Sequence, residues 1–482
     1  MKGEAMSELQ VQTAAGDITA LADDVIEAFR DSLRGELILR GEPGYVDHRR
    51  LWNGMIDKRP AMIVRCAGTA DVIASVNLAR EHDLLLAVRG GGHNVAGSAS
   101  SDGGMVIDLS DMRSVWVDPA VPVARVEGGA TLGDLDHETQ AFGLAAPLGV
   151  VSRTGVAGLT LGGGYGWLTR KYGLSCDNLL SVDIVTADGQ LRRASATEHP
   201  DLFWAIRGGG GNFGVVTSFE FRLHRVGPEV MLLAAFYPLA VAQEGLSTFR
   251  EYMATAPEEL FALAVLWRCP EGPMFPEEMQ GQNVLVLVGV YSGPIEQGEE
   301  AIRPLRAFDT PIADLSGPVS WLEAQRFFDA NYPDGKLYYW KSIYLDRLSD
   351  EAIEVVLEQA VGRPSIDSNI GVWYLGGAYS RVGADETAVG RRDAEVMIGL
   401  EANWSEPQHS EANIEWARGT HARLRPFSSG GSYVNFGGYA EDSDEVVRDV
   451  YERNLERLVE VKRRYDPANL FRVNHNIRPN VG

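Results

Sequence analysis

A strand-like run, Leu84-Leu85-Leu86-Ala87-Val88, ends in Arg89-Gly90-Gly91-Gly92-His93-Asn94. Successive glycines allow backbone conformations closed to other residues and let a ligand reach the main chain. Their N–H groups can form a concavity suited to phosphate, and His93 sets a nucleophilic imidazole beside whatever that loop holds. One such loop is weak evidence. Here it recurs at Gly162-Gly163-Gly164-Tyr165-Gly166 and at Gly208-Gly209-Gly210-Gly211-Asn212-Phe213-Gly214. Three glycine-rich turns along one stretch point to a large cofactor carrying more than one phosphate. Far downstream, Ser432-Tyr433-Val434-Asn435 reads as a strand in which Tyr433 and Asn435 share one face.

The elements that must position these groups fall into two textures. From about Pro60 to Val226 strand and helix signals alternate. Strands are expected at 61–65, 84–88, 105–109, 124–127, 181–186 and 215–222. A helix is expected from Thr69 to Asp83, with apolar positions at Ala70, Val72, Ile73, Val76 and Leu78, and a capped one from Thr131 to near Gly143. After Gly227-Pro228 glycine density drops. Longer, aromatic-rich strands appear at 231–237, 260–267, 284–291, 337–344 and 370–378, with amphipathic helices between them, among them 350–361 and 412–424. That alternation suggests an α+β domain with one large, mostly antiparallel sheet flanked by helices. The tail reads as one long charged helix, Ser443 to Arg464, ending before Asp466-Pro467.

The chain's 482 residues exceed one ordinary core, so more than one domain is expected. A formal charge of −23 argues against nucleic acid and anionic membranes as partners, since both require basic patches. Cys66, Cys176 and Cys269 match neither a zinc site nor a disulfide framework, so buried free thiols and no metal are expected. The first twenty residues lack a basic start and an apolar core, and no apolar run is long enough to span a bilayer; the expected location is cytoplasmic.

Taken together, the loop at Arg89–Asn94, the run Gly155–Gly166, the run Asp201–Gly214, and Tyr465-Asp466-Pro467 followed by Phe471-Arg472-Val473-Asn474-His475-Asn476 resemble the flavin oxidases related to berberine bridge enzyme, within the vanillyl-alcohol oxidase superfamily. The resemblance runs in the expected order over nearly the whole chain. It implies a two-domain α+β flavoprotein: an FAD-binding domain of the PCMH type at 25–226, a substrate domain at 227–430, and a segment at 431–482 that returns to the FAD domain, which is therefore discontinuous.

The resemblance also implies roles. His93 would bond the 8α carbon of FAD. Many relatives add a second link through a cysteine two residues after Gly149; here that position is Val151, so a single link is expected. Arg89, Gly90, Gly91, Gly92, Asn94, Gly97 and Ser98 would accompany His93. Val151, Ser152, Thr154, Gly155, Gly158, Gly162, Gly163, Tyr165 and Gly166 would hold the ring and ribityl chain. Gly211, Asn212, Gly214 and Val216 would meet the pyrophosphate or adenine, and Asn474 and Asn476 the pyrimidine side of the ring. Tyr433, with Asn435, would lie over the flavin as catalytic base or as an aromatic platform. Working as a base near neutrality would require a lowered phenol pKa, and Arg153 or Lys341 is the expected neighbouring cation. Arg153 is open to two readings, an anion-binding group or a plain surface arginine. Relatives often carry an acid or base at the positions of Gly371 and Trp373; with neither present, Trp373 becomes an aromatic wall with Tyr339, Lys341 and Tyr344 as company. The implied reaction removes a hydride from a small or medium organic molecule (an alcohol, sugar, amine or secondary metabolite), and dioxygen takes the electrons to give hydrogen peroxide. An oxygenase acting on polyketide-like molecules and a flavin-holding module without turnover remain open alternatives.

Overall fold

The computed structural model describes residues 8–273, 275–438 and 444–480. The N-terminal half builds two sheets. The first has four strands in the order Glu36–Leu39, Met62–Arg65, Met105–Asp108, Leu86–Arg89, antiparallel at the first pair and parallel at the other two. The parallel pairing follows from the helix Thr69–Glu81, which carries the chain back across the sheet between two of these strands. Its start is pinned by Asp71, whose carboxylate accepts the backbone N–H groups of Arg34, Gly35 and Ala67. The second sheet is antiparallel, in the order Leu191–Ser195, Leu179–Val185, Val215–Arg222, Val123–Glu127, Val115–Asp118. The helix Leu132–Gln140 packs against it and begins at a capping box formed by Thr131 and Asp134.

After Pro228 one wide antiparallel sheet takes over. Its strands run in the order Ala313–Asp314, Glu229–Pro238, Asn283–Tyr291, Leu260–Arg268, Asn369–Tyr374, Val396–Trp404, Leu337–Leu345, with Gly317–Ser320 also on the second of them. Both faces are buried, so the strands read as near-continuous apolar runs. One face packs on the helices Ala242–Met253, Ile295–Arg306, Asp350–Val361 and Ser410–Leu424 through residues such as Leu233, Leu287, Ile343 and Ile398. The other face, carrying Leu263, Val265, Trp340, Trp373 and Met397, looks toward the N-terminal half. Strand Val396–Trp404 was not among the expected strands, and the strand expected at 370–378 stops at Tyr374.

The two halves are cross-linked by buried polar groups. Asp136 accepts from Trp321 Nε1 and Gln325 Nε2 at 2.8 Å each. Arg392 forms a bidentate pair with Asp177 at 2.7 and 2.8 Å.

The tail corrects the expectation of one continuous helix. Ser443 lies outside the described residues. Asp444–Tyr451 is helical, a short turn at Glu452–Asn454 with φ of 43° at Glu452 breaks the axis, and Leu455–Tyr465 resumes. The break lets Lys462 enter the core. Its ammonium is fully buried and donates to Asn212 O at 2.7 Å, Phe471 O at 2.9 Å and Asp466 at 2.7 Å. Asp466 in turn accepts the N–H groups of Leu470 and Phe471. One cation thus ties the tail to the last glycine-rich turn. Lys462→Met strands the buried Asp466 carboxylate and two carbonyls, and is expected to cost about 3 kcal/mol or more; chemical or thermal melts of the variant against the parent check this.

Candidate active site

All three cysteines are buried and unpaired, and among the described residues no group of histidine, cysteine or carboxylate side chains could hold a metal ion. No described helix is long and apolar enough to cross a membrane.

A cavity runs between the N-terminal half and the wide sheet, and both contribute to its walls. Gly90, Gly91, Gly92, His93, Asn94 and Ser98 line one stretch of it, Val151, Thr154, Gly155, Gly158 and Tyr165 another, and Gly211, Asn212, Gly214, Val216 and Asn474 a third. The first two stretches cross backbone to backbone. A Cβ on Gly91 would stand 2.5 Å from the backbone of Gly155, and one on Gly155 would stand 2.5 Å from Gly91 N. Only glycine permits that crossing. At Gly211, by contrast, an added Cβ would meet nothing within 4 Å.

His93 stands on the cavity wall with its ring stacked on Trp52, centroids 3.9 Å apart at 16°. Trp52 stacks in turn on Tyr338 of the wide sheet, at 3.7 Å and 12°, and donates Nε1–H to Tyr332 O at 2.9 Å. Burial pushes the imidazole pKa down to about 3, with Arg153 adding to the effect, so the ring is neutral at physiological pH. On the cavity wall, His93 Nε2 and Asn474 Oδ1 are buried polar atoms without a protein partner. Such atoms at a cavity suit a polar ligand, and the glycine cradle fits FAD.

Several expected residues face elsewhere. Arg153 projects from its turn to an exposed ion pair with Asp334, and Ser152 turns its hydroxyl and N–H to Asp329; Val151 and Thr154 alone of that turn face the cavity. Arg89 points behind the loop, donating to His48 O at 2.6 Å. Gly97, Gly162, Gly163, Gly166 and Asn476 do not line the cavity. Tyr339 and Lys341 lie on the helix-packed face of their strand, where Tyr339 contacts Arg418. Strand parity is the reason: Trp340, not its neighbours, points at the cavity. Tyr344 has the right parity but sits behind the wall, its hydroxyl 2.9 Å from that of Tyr165.

Tyr433 and Asn435 both line the cavity, yet as part of a tight turn at Val434–Phe436 and not a strand. Asn435 Nδ2 donates to Tyr433 Oη at 2.8 Å and to Leu159 O at 3.1 Å. The backbone N–H groups of Gly164 and Tyr165 also reach the phenol oxygen. Neither Arg153 nor Lys341 supplies the expected cation. Burial pushes this phenol up to about 12, with the three N–H donors opposing it. Across the cavity, Trp373 contributes the expected aromatic wall.

The sequence reading missed Tyr332, Trp340, Asn369, Glu401 and Phe436, all cavity-lining. Glu401 Oε2 accepts from Tyr332 Oη at 2.5 Å and Asn369 Nδ2 at 3.2 Å, and burial raises its pKa. The available signal was a lone carboxylate within the apolar run Val396-Met397-Ile398-Gly399-Leu400-Glu401-Ala402.

Known proteins share this architecture. Residues 60–195 match the FAD binding domain family, and residues 432–478 match the family described as berberine and berberine like. An FAD-linked oxidoreductase of Dictyostelium discoideum is 32% identical over 95% of this chain and 98% of its own. The (R)-6-hydroxynicotine oxidase of Paenarthrobacter nicotinovorans is 35% identical over 93% and 97%. The crystal structure of 6-hydroxy-D-nicotine oxidase from Arthrobacter nicotinovorans superposes with a TM-score of 0.83 at 31% identity, covering 93% of this chain and 99% of that one. A glucooligosaccharide oxidase from Acremonium strictum, described as carrying 6-S-cysteinyl, 8α-N1-histidyl FAD, gives 0.84 at 25% identity over 95% and 100%. With its glycine cradle, its histidine on the cavity wall and relatives matched almost end to end, this chain belongs to the berberine bridge enzyme-like family and is an FAD-dependent oxidase.

Proposed function

We propose that the chain carries FAD on a single covalent link through His93 and oxidises a small or medium organic molecule at a C–H beside oxygen or nitrogen. The observation that carries this reading is the neutral, stacked imidazole of His93, its Nε2 unpartnered, on the wall of a glycine-lined cavity. FAD supplies, when bound, a two-electron acceptor that dioxygen reoxidises with release of hydrogen peroxide.

The chain's own residues provide position and proton handling. The loops at Gly90–Asn94 and Gly211–Val216 bind the cofactor through backbone amides, and Asn474 orients its ring edge. Val151, at the place where doubly linked relatives carry cysteine, has no atom to form a second bond. Cys176 does not substitute for it: burial holds its thiol protonated, and it does not line the cavity. Tyr433 takes the substrate's O–H or N–H proton. Asn435 and the two backbone amides stabilise the phenolate that accepts it, in place of a cation. The aromatic wall of Trp340, Trp373 and Phe436 excludes water from the reacting atoms.

The founding test is anaerobic bleaching of the bound flavin by pooled alcohols, sugars, amines and phenolic metabolites. One pool bleaches, and air restores the colour with peroxide; if only dithionite bleaches, the oxidase chemistry assigned here fails for those classes. Acid precipitation of the parent leaves the yellow colour in the pellet, and His93→Ala releases it to the supernatant. Tyr433→Phe slows bleaching about 10²-fold or more. Because the phenol is protonated through pH 7–10 and acts when deprotonated, the parent's rate climbs with pH over that range. Asn435→Leu removes one donor to the phenolate, so it slows bleaching at fixed pH and moves the rising limb upward; stopped-flow pH profiles read both effects.

A further inference from the structure

A second cleft shares a wall with the cofactor cavity. His93 and Gly91 line both, and Trp52, stacked on His93, belongs to the second. Five of its fifteen lining residues are arginine: Arg50, Arg89, Arg113, Arg153 and Arg326. They converge from separate stretches of chain. Arg50 follows the helix Tyr45–Arg49, Arg89 ends the strand Leu86–Arg89, and Arg326 follows the helix Trp321–Gln325. Arg113 and Arg153 lie on connecting loops. Lysine and arginine together make up 44 of the chain's 482 residues and the formal charge is −23, so this concentration runs against the rest of the molecule.

The carboxylates of the cleft answer two of the five arginines. Asp134 pairs with Arg113 and is also held by the Thr131 N–H and hydroxyl, and Asp334 pairs with Arg153. Arg89 gives Nη1 to His48 O, and the Asp108 carboxylate stands 3.9 Å away. Arg50 reaches the exposed Asp47 at 3.7 Å. Arg326 makes no ion pair or side-chain hydrogen bond among the described residues, and acts on the buried Asp136 through its field alone. Guanidiniums keep their charge at any working pH, so five cations against two lining carboxylates leave three positive charges in excess. Gathering like charges costs free energy, and one multivalent anion offsets it. Guanidinium forks also match the paired oxygens of phosphate and carboxylate. The charge of the cleft is felt at the histidine: after burial, Arg153 adds to the lowering of the imidazole pKa.

Resting on the cofactor reading above for its second half, we propose that this cleft binds a multivalent oxyanion, a polyphosphate or polycarboxylate, and that occupancy lowers the reduction potential of the flavin on His93. Reduction adds negative charge to a flavin; unanswered guanidiniums favour that charge, and a bound anion cancels them. Isothermal titration calorimetry of the flavin-loaded protein with inorganic tripolyphosphate gives one saturable site, with Kd below about 1 mM. Citrate in its place tells a phosphate site from a carboxylate site. Sodium chloride at matched ionic strength gives no saturable heat. Arg50→Gln combined with Arg326→Gln, which keeps both ion-paired arginines, weakens binding about tenfold or more. Arg423→Gln, from a surface pair with Glu358 outside the cleft, leaves it unchanged. Dye-coupled potentiometry shows a lower flavin potential with anion bound, and a smaller shift in the double variant at the concentration that half-saturates the parent. No saturable heat with either anion, or parent affinity in the double variant, overturns the site. Binding without a shift in potential overturns the coupling to the flavin. A protein that holds no flavin sinks the cofactor reading instead, and calorimetry still decides the site.

Discussion

The arrangement depends on two glycine loops crossing in van der Waals contact. Where Gly91 meets Gly155, neither backbone can retreat and neither residue can carry a side chain. The crossing brings the strand end at Arg89 and the turn before the helix Val156–Leu161 to one wall, and His93 and Thr154 follow from it by chain connectivity. The stack of His93 on Trp52, and of Trp52 on Tyr338, then joins that wall to the wide sheet. Cofactor cradle and substrate sheet are in this way registered to each other through ring faces, which tolerate less lateral ambiguity than a single long side chain would.

Burial does opposite things to the two groups the chemistry needs. It holds His93 uncharged, with a free lone pair, and it makes the Tyr433 phenol harder to ionise. Both effects come from the same dry cavity. In the proposed reaction only the phenol must ionise, and of the two it is the one set among N–H donors. Glu401 shares the dry environment and is likewise pushed toward its neutral form, but Tyr332 and Asn369 load one of its oxygens and orient the other.

Much of the cradle was legible because glycine runs announce close backbone approach wherever they occur. The helix Asp350–Val361 and the strands around it were legible from period alone. What failed depended on phase. The residues Tyr339 and Lys341 sit in a correctly located strand but on its helix-packed side, and an apolar strand buried on both faces offers no alternation from which to read the phase. Glu401 escaped because its strand was not recognised, and Arg153 because a four-residue turn sends consecutive side chains in different directions. The tail's break at Glu452 has no glycine or proline to mark it; the interior demand of Lys462 sets it, and that is a tertiary cause.

The wide sheet separates two tasks by residue parity. Odd positions in the strand Val396–Trp404, from Met397 through Gly399 to Glu401, face the cavity, and the residues between them pack on helices. Under the proposed function, substitutions on the first set reshape what the enzyme accepts and leave the helix interface untouched. A scaffold built this way can change its diet one alternate residue at a time, with foldability guarded on the other side of the same strand.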